Sequence, residues 1–108
     1  MLSNVRSIAF VTGMVALVST SQVFAQDTLA VGKKVFAETA APACAVCHAL
    51  KDAGAEGAIG PNLDELKPDA SRVEMAVRNG IGQMPAFQNL SDDQIKAVAQ
   101  YVSSVAGK

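Results

Sequence analysis

Both cysteines and the single histidine of this 108-residue chain fall within five consecutive positions, Cys44-Ala45-Val46-Cys47-His48. Two thiols three positions apart, followed at once by an imidazole, is the spacing of c-type haem attachment. The thiols can add across the vinyl groups of a porphyrin, and the imidazole can bind its iron from one face. One helical turn brings the three side chains to the same side, where a single planar ligand can meet them all. Other chemistries of these groups fit worse. Thiol–disulfide exchange through Cys-x-x-Cys belongs to a βαβ setting, and no segment alternates as a strand should. A structural zinc site wants four Cys or His ligands, and only three such residues exist. A blue-copper centre wants two His, and His48 stands alone.

With no second His, the other axial position falls to a soft donor, and methionine is the obvious one. Met1 and Met14 lie in an apolar leader, which leaves Met75 and Met84. Met75 sits in a helical stretch, where a methionine usually fills core or surface. Met84 lies in Gly80-Ile81-Gly82-Gln83-Met84-Pro85-Ala86-Phe87, which has no helical period. Its glycines let backbone run close to a flat ligand, and Pro85 fixes the turn after the thioether, so Met84 is the expected ligand. A thioether opposite an imidazole raises the reduction potential and fills the coordination sphere, which implies one-electron transfer rather than bond chemistry. If Met84 does not ligate, an open iron position suits gas binding or peroxidatic chemistry instead. The proximal imidazole also needs an acceptor for its second ring N–H, and the carbonyl of Pro61, after Gly60, is a candidate. Arg78, Lys51 and Tyr101 are candidates to meet a propionate, against plainer readings as solvated charges and as an aromatic packed on Gly32 and Phe36.

Three helices are expected to position these groups. The first starts at Asp27 or Thr28 and runs to about Glu38, with Leu29, Val31, Val35 and Phe36 on its apolar side. Gly32 interrupts it at a cost of about 1 kcal/mol, which a close helix crossing would explain. The second begins near Ser71, where Ser71-Arg72-Val73-Glu74 matches a capping box, and stops at Gly80. The third begins at the capping box Ser91-Asp92-Asp93-Gln94, with Leu90 and Ile95 as a hydrophobic staple. It continues through Val98, Ala99, Val102 and Val105 to Gly107. Residues 53–60 read as a Gly/Ala-rich loop, and the fold class is all-α.

The start of the chain reads as an export signal: Arg6, an apolar stretch from Ile8 to Val18, then Val23-Phe24-Ala25 with small residues where a signal peptidase cuts. The apolar run is shorter than the roughly 20 residues a bilayer span requires. The expected organisation is therefore a cleavable leader over 1–25 and a domain over 26–108, without a membrane span once the leader is removed. That domain, about 83 residues long, is small enough for its core to be marginal, and a buried haem would complete it. Nine Lys and Arg stand against ten Asp and Glu over the whole chain. No basic stripe speaks for nucleic acid.

Taken together, Gly32-x-x-x-Phe36, Cys44-Ala45-Val46-Cys47-His48, Gly60-Pro61-Asn62-Leu63, Met84-Pro85-Ala86-Phe87 and the last helix with Tyr101 resemble small class I bacterial cytochromes c. The resemblance covers essentially all of residues 26–108. It implies one covalent haem c held by Cys44 and Cys47, axial ligands His48 and Met84, and a Pro61 carbonyl on the proximal imidazole. It also implies crossed first and last helices meeting at Gly32, Phe36 and Tyr101. The implied role is a periplasmic carrier of single electrons between redox proteins such as a terminal oxidase or another cytochrome. Cys-Ala-Val-Cys-His-Ala-Leu and the short interval from His48 to Met84 are also similar to cytochrome subunits or partners of periplasmic molybdenum-dependent sulfite dehydrogenases. That likeness implies a dedicated electron acceptor. No lysine cluster surrounds the motif, and Ala43, Ala45, Val46, Ala49 and Ala86 predict a small apolar rim.

Overall fold

The computed structural model describes residues 9–16 and 21–108. Residues 1–8 and 17–20 of the expected export signal lie outside the described residues. The first helix, α1, spans Ser21–Lys34 and passes into a π-helical turn over Val35–Thr39. It thus starts earlier than the expected Asp27 or Thr28. No Gly or Pro separates Ser21 from that point, and the Thr28 hydroxyl bonds back to the Phe24 carbonyl at 2.9 Å instead of capping. The buried side carries Gly32, Val35 and Phe36, with Leu29 partly buried, whereas Val31 points to solvent at 46% exposure.

A short helix α2, Cys44–Cys47, leads into a two-residue strand β1, Ala49–Leu50. This pairs antiparallel with β2, Ala55–Glu56, around a 3₁₀ turn at Lys51–Ala53. The expected loop is therefore partly a hairpin. A four-residue helix α3, Leu63–Leu66, follows, capped by the Asn62 side chain, which accepts from the Asp64 and Glu65 amides. Helix α4, Ala70–Asn79, is capped two residues before the expected position. Its cap is Asp69, whose carboxylate accepts from Arg72 N at 2.8 Å. The Ser71 capping box does not form: Ser71 lies inside the helix, and Glu74 pairs with Arg78 one turn on. Helix α5, Asp92–Val105, has the expected start: Ser91 accepts from Gln94 N while the Gln94 side chain accepts from Ser91 N. Leu90 and Ile95 are both buried at that end.

Helix α5 organises the rest, with α1 and α4 both packed on it. Each of its buried Ile95, Val98 and Val102 side chains contributes about 1.5–3 kcal/mol by leaving water. The crossing with α1 is at backbone contact. A Cβ on Gly32 would lie 2.5 Å from Tyr101 Cβ and 2.8 Å from the Ala97 carbonyl carbon. Glycine's helix penalty is thus the cost of that approach. Beside it the Phe36 and Tyr101 rings meet edge to face, 6.1 Å apart at 65°. The expected Gly32, Phe36 and Tyr101 junction is present, though Tyr101 is only 2% exposed and belongs to the core proper.

Candidate functional site

The motif helix α2 is one turn long, closed by hydrogen bonds from Val46 N to Ala43 O (3.0 Å) and from His48 N to Cys44 O (2.9 Å). His48 then takes an extended backbone, φ −113° and ψ 138°, and leaves the helix. Its ring lies against the loop that follows β2. Nδ1 is 2.7 Å from the Pro61 carbonyl. That oxygen can only accept, so Nδ1 carries the proton and Nε2 keeps its lone pair. The arrangement fixes the tautomer a metal-binding imidazole needs.

Two glycines make this contact possible. Gly60 donates its N–H to Cys47 O at 2.7 Å, and a Cβ there would come within 2.6 Å of His48 Cε1 and 2.8 Å of Nδ1. A Cβ at Gly57 would stand 2.6 Å from both Cys47 C and His48 N. The loop that reads as plain Gly/Ala linker is thus a close cover over the motif.

Across the cleft, Met84 sits in a tight turn. Ile81 and Met84 exchange both N–H···O bonds at 3.0 Å, with Gly82 between them at φ 56°. Gly80, at φ 70°, passes so close that a Cβ would lie 2.7 Å from Met84 O. Phe87 N bonds to Val77 O at 2.9 Å and ties the loop to α4. Met84 is partly buried against the core, whereas Met75 is 61% exposed at the edge of the same cleft.

The cleft has a volume of about 790 Å³ and is lined by Cys44, Cys47, His48 and Met84 together with core residues such as Phe36, Leu63, Val98 and Val102. Burial pushes the Cys44 thiol up to about 11, with the neighbouring Cys47 adding to the rise and a backbone hydrogen bond opposing it. Two thiols, an imidazole with a free Nε2 lone pair, a thioether and apolar walls fit a porphyrin and its iron.

Around the cleft, Arg78 and Lys51 follow their plainer readings as charges outside it, and Tyr101 its reading as an aromatic packed on Gly32 and Phe36. Arg78 is held by Glu74 at 2.9 Å and by Asp92, and it does not line the cleft. The same two carboxylates hold its guanidinium above the usual range, Glu74 contributing most. Lys51 also lies off the cleft, its backbone N–H donating to Asp64 at 2.8 Å. The Tyr101 hydroxyl donates to Asp52 Oδ2 at 2.6 Å, and Lys33 Nζ is 3.5 Å from that oxygen. Burial, then this carboxylate, push the phenol well above its ordinary pKa. Sequence reasoning passed over Arg72 and Asp69, which do line the cleft. It also missed Asp64, whose two oxygens accept from Lys51 N and from Gly107 N at 2.9 Å. The Asp64 interaction spans 43 residues and leaves no local pattern.

Residues 27–102 match the family model described as cytochrome C oxidase, cbb3-type, subunit III. Cytochrome c6 of Cyanidioschyzon merolae is 37% identical over 95 residues, covering 81% of this chain and 83% of that protein. Cytochrome c6 of Leptolyngbya boryana is 40% identical over 84 residues, covering 73% of this chain and 94% of that protein. Among solved structures, the c-type cytochrome SorU from Sinorhizobium meliloti is 61% identical. It superposes with a TM-score of 0.76 over 77% of this chain and 95% of SorU.

Fold and matches together define a small all-α c-type cytochrome with one covalently bound haem c, an electron-transfer protein that works between redox partners. The chain belongs to the class I cytochrome c family, through the matched cbb3-type subunit III domain. Among the described residues, no helix is long and apolar enough to cross a membrane.

Proposed function

We propose that Cys44 and Cys47 hold the haem, that His48 and Met84 are its axial ligands, and that the Pro61 carbonyl orients the proximal ring. The observation that carries this reading is that one apolar cleft is lined by all four of Cys44, Cys47, His48 and Met84, with His48 Nδ1 already occupied by Pro61. Bound there, the haem supplies a one-electron iron couple. Leu63, Val98 and Val102 keep water from one side of the cleft, and the Pro61 bond keeps Nε2 available. The exposed Met75 is the alternative donor, and its exposure argues against it. The test is the absorption spectrum of periplasmically matured protein in the oxidised state. The weak long-wavelength band of thioether-ligated ferric haem disappears in Met84→Leu and persists in Met75→Leu. The opposite pattern overturns the assignment, and the absence of the band in the wild type favours the five-coordinate, gas-binding reading.

The chain is read as exported, with the leader cut after Ala25 to leave a domain over 26–108. N-terminal sequencing of the mature protein then starts at Gln26. For the partner, the 61% identity to SorU and the Cys-Ala-Val-Cys-His-Ala-Leu resemblance support a periplasmic sulfite dehydrogenase as electron donor. Reduction of the oxidised protein by such a dehydrogenase and sulfite, followed by stopped-flow, tests that choice. A stable subunit co-elutes with the dehydrogenase in gel filtration, and a diffusing carrier elutes alone.

A further inference from the structure

We propose that Arg72 binds a propionate of the haem and thereby biases the iron couple toward its reduced state. The inference rests on the haem occupying the cleft and goes on to say which of the chain's cations meets it. A haem brings two carboxylates, and a carboxylate at the edge of an apolar cleft must be solvated or paired. Among the described residues lining the cleft, Arg72 is the only lysine or arginine, and Asp69 is the only carboxylate.

Asp69 is engaged elsewhere: its Oδ1 caps α4 through Arg72 N at 2.8 Å. The Arg72 guanidinium, by contrast, makes no hydrogen bond or ion pair among the described residues. Arg78, six positions along the same helix, has Glu74 and Asp92 and lies off the cleft. Sequence alone cannot rank these two arginines, since both sit on α4. The structure leaves one unpaired at the cleft and locks the other outside it. A planar guanidinium also presents two parallel N–H donors to a carboxylate, which an ammonium does not.

A cation at this edge disfavours the more positive, oxidised iron. Arg72 is therefore a positioning residue that sets the potential, acting through the propionate. In haem-loaded protein, Arg72→Gln lowers the reduced-to-oxidised ratio at a fixed applied potential by about tenfold, the scale of one partly screened charge. For a single electron that is about 59 mV. The pH at which the potential begins to change also rises, because the propionate loses the partner that holds it ionised. Arg72→Lys restores most of the shift, and Arg78→Gln stays within about twofold of the wild type.

An unmoved potential and pH profile in Arg72→Gln overturn the proposal, as does an equal shift in Arg78→Gln. A measurement on the wild type decides independently of how the variants mature. In the reduced protein the Arg72 side-chain protons show nuclear Overhauser contacts to the propionate methylenes, and their absence overturns the assignment. The ferric methionine band is recorded on every sample. Its loss from the wild type points to failure of the axial-ligand reading, while its persistence with an unmoved potential points to failure of the Arg72 assignment alone.

Discussion

Replacing Gly60 by Ala adds one methyl group at the point where the motif loop touches the imidazole. The new Cβ would lie 2.6, 2.8 and 3.1 Å from His48 Cε1, Nδ1 and Nε2. Carbon atoms pack best at about 3.5–4.0 Å, so the ring or the loop must retreat by roughly 0.9 Å. Gly60 is not among the glycines with positive φ, so the alanine backbone is unstrained and the effect belongs to the methyl alone. The loop cannot retreat freely, because Gly60 N is tied to Cys47 O at 2.7 Å. The ring cannot either, because Nδ1 is 2.7 Å from Pro61 O. A shift of that size takes one of these bonds beyond useful length, at about 1 kcal/mol, and overpacking adds about 1–3 kcal/mol.

The sum, about 2–4 kcal/mol, corresponds to a fall of roughly 8–30 °C in the unfolding midpoint of a domain this size. The assay is thermal unfolding of fully loaded protein, followed by circular dichroism in the haem region at one fixed oxidation state. If the Pro61 bond is the one that stretches, the imidazole becomes a poorer donor and the reduction potential rises. A Gly60→Ala protein with a midpoint within about 2 °C of the wild type and an unchanged potential would refute the reasoning.

Two further perturbations test the scaffold. Asp64 accepts backbone N–H bonds from Gly107 and Lys51, in that order of effect, which hold its pKa below the usual carboxylate value. Its stabilising effect is therefore fully present above the unfolded-state pKa of about 3.9 and is lost as pH falls through the lower folded value. Asp64→Asn unfolds more readily than wild type at neutral pH, and chemical denaturation at a series of pH values shows the gap closing in acid. At the start of α4, Asp69→Ala lowers stability by about 1 kcal/mol through loss of the cap, while Ser71→Ala is nearly neutral. Equal losses for the two variants in denaturant titrations contradict the observed cap.

The features legible in the sequence were those that act through neighbours in the chain. Cys44 to His48, the Ser91 capping box and the Met84 turn each complete their geometry within a few residues. Gly32 was legible for another reason: a glycine in a helix needs an explanation, and a crossing supplies one. What stayed hidden lay at the two extremes of range. The hairpin at 49–56 and the helix Leu63–Leu66 are too short for any periodicity to show. The Asp64 clamp and the Tyr101–Asp52 bond join residues 43 and 49 positions apart. At α4, two residues, Asp69 and Ser71, could each cap a helix. Asp69 takes the role with its carboxylate on Arg72 N, which places Ser71 inside the helix and leaves Glu74 to pair with Arg78. Arg78, held by Glu74 and Asp92 outside the cleft, follows its plainer reading as a surface charge.

The division of labour on α5 ties the cleft to the rest of this small domain. Ala97 and Tyr101 face the backbone contact with Gly32, while Val98 and Val102 line the cleft. Each pair is one turn apart, and the two stripes are offset by a single residue. A shift of α5 that widened the cleft would therefore also move the residues that meet α1. Tyr101 is bound at its far end to Asp52, in the turn between β1 and β2, and this ties the hairpin next to the motif to the same helix. Phe36, Leu63, Val77 and Phe87 are at once core residues and cleft walls, so whatever binds there completes the core. A group that binds only the folded chain stabilises it by mass action, and a covalent one cannot dissociate. Occupation of the cleft and folding are thus coupled through the same side chains.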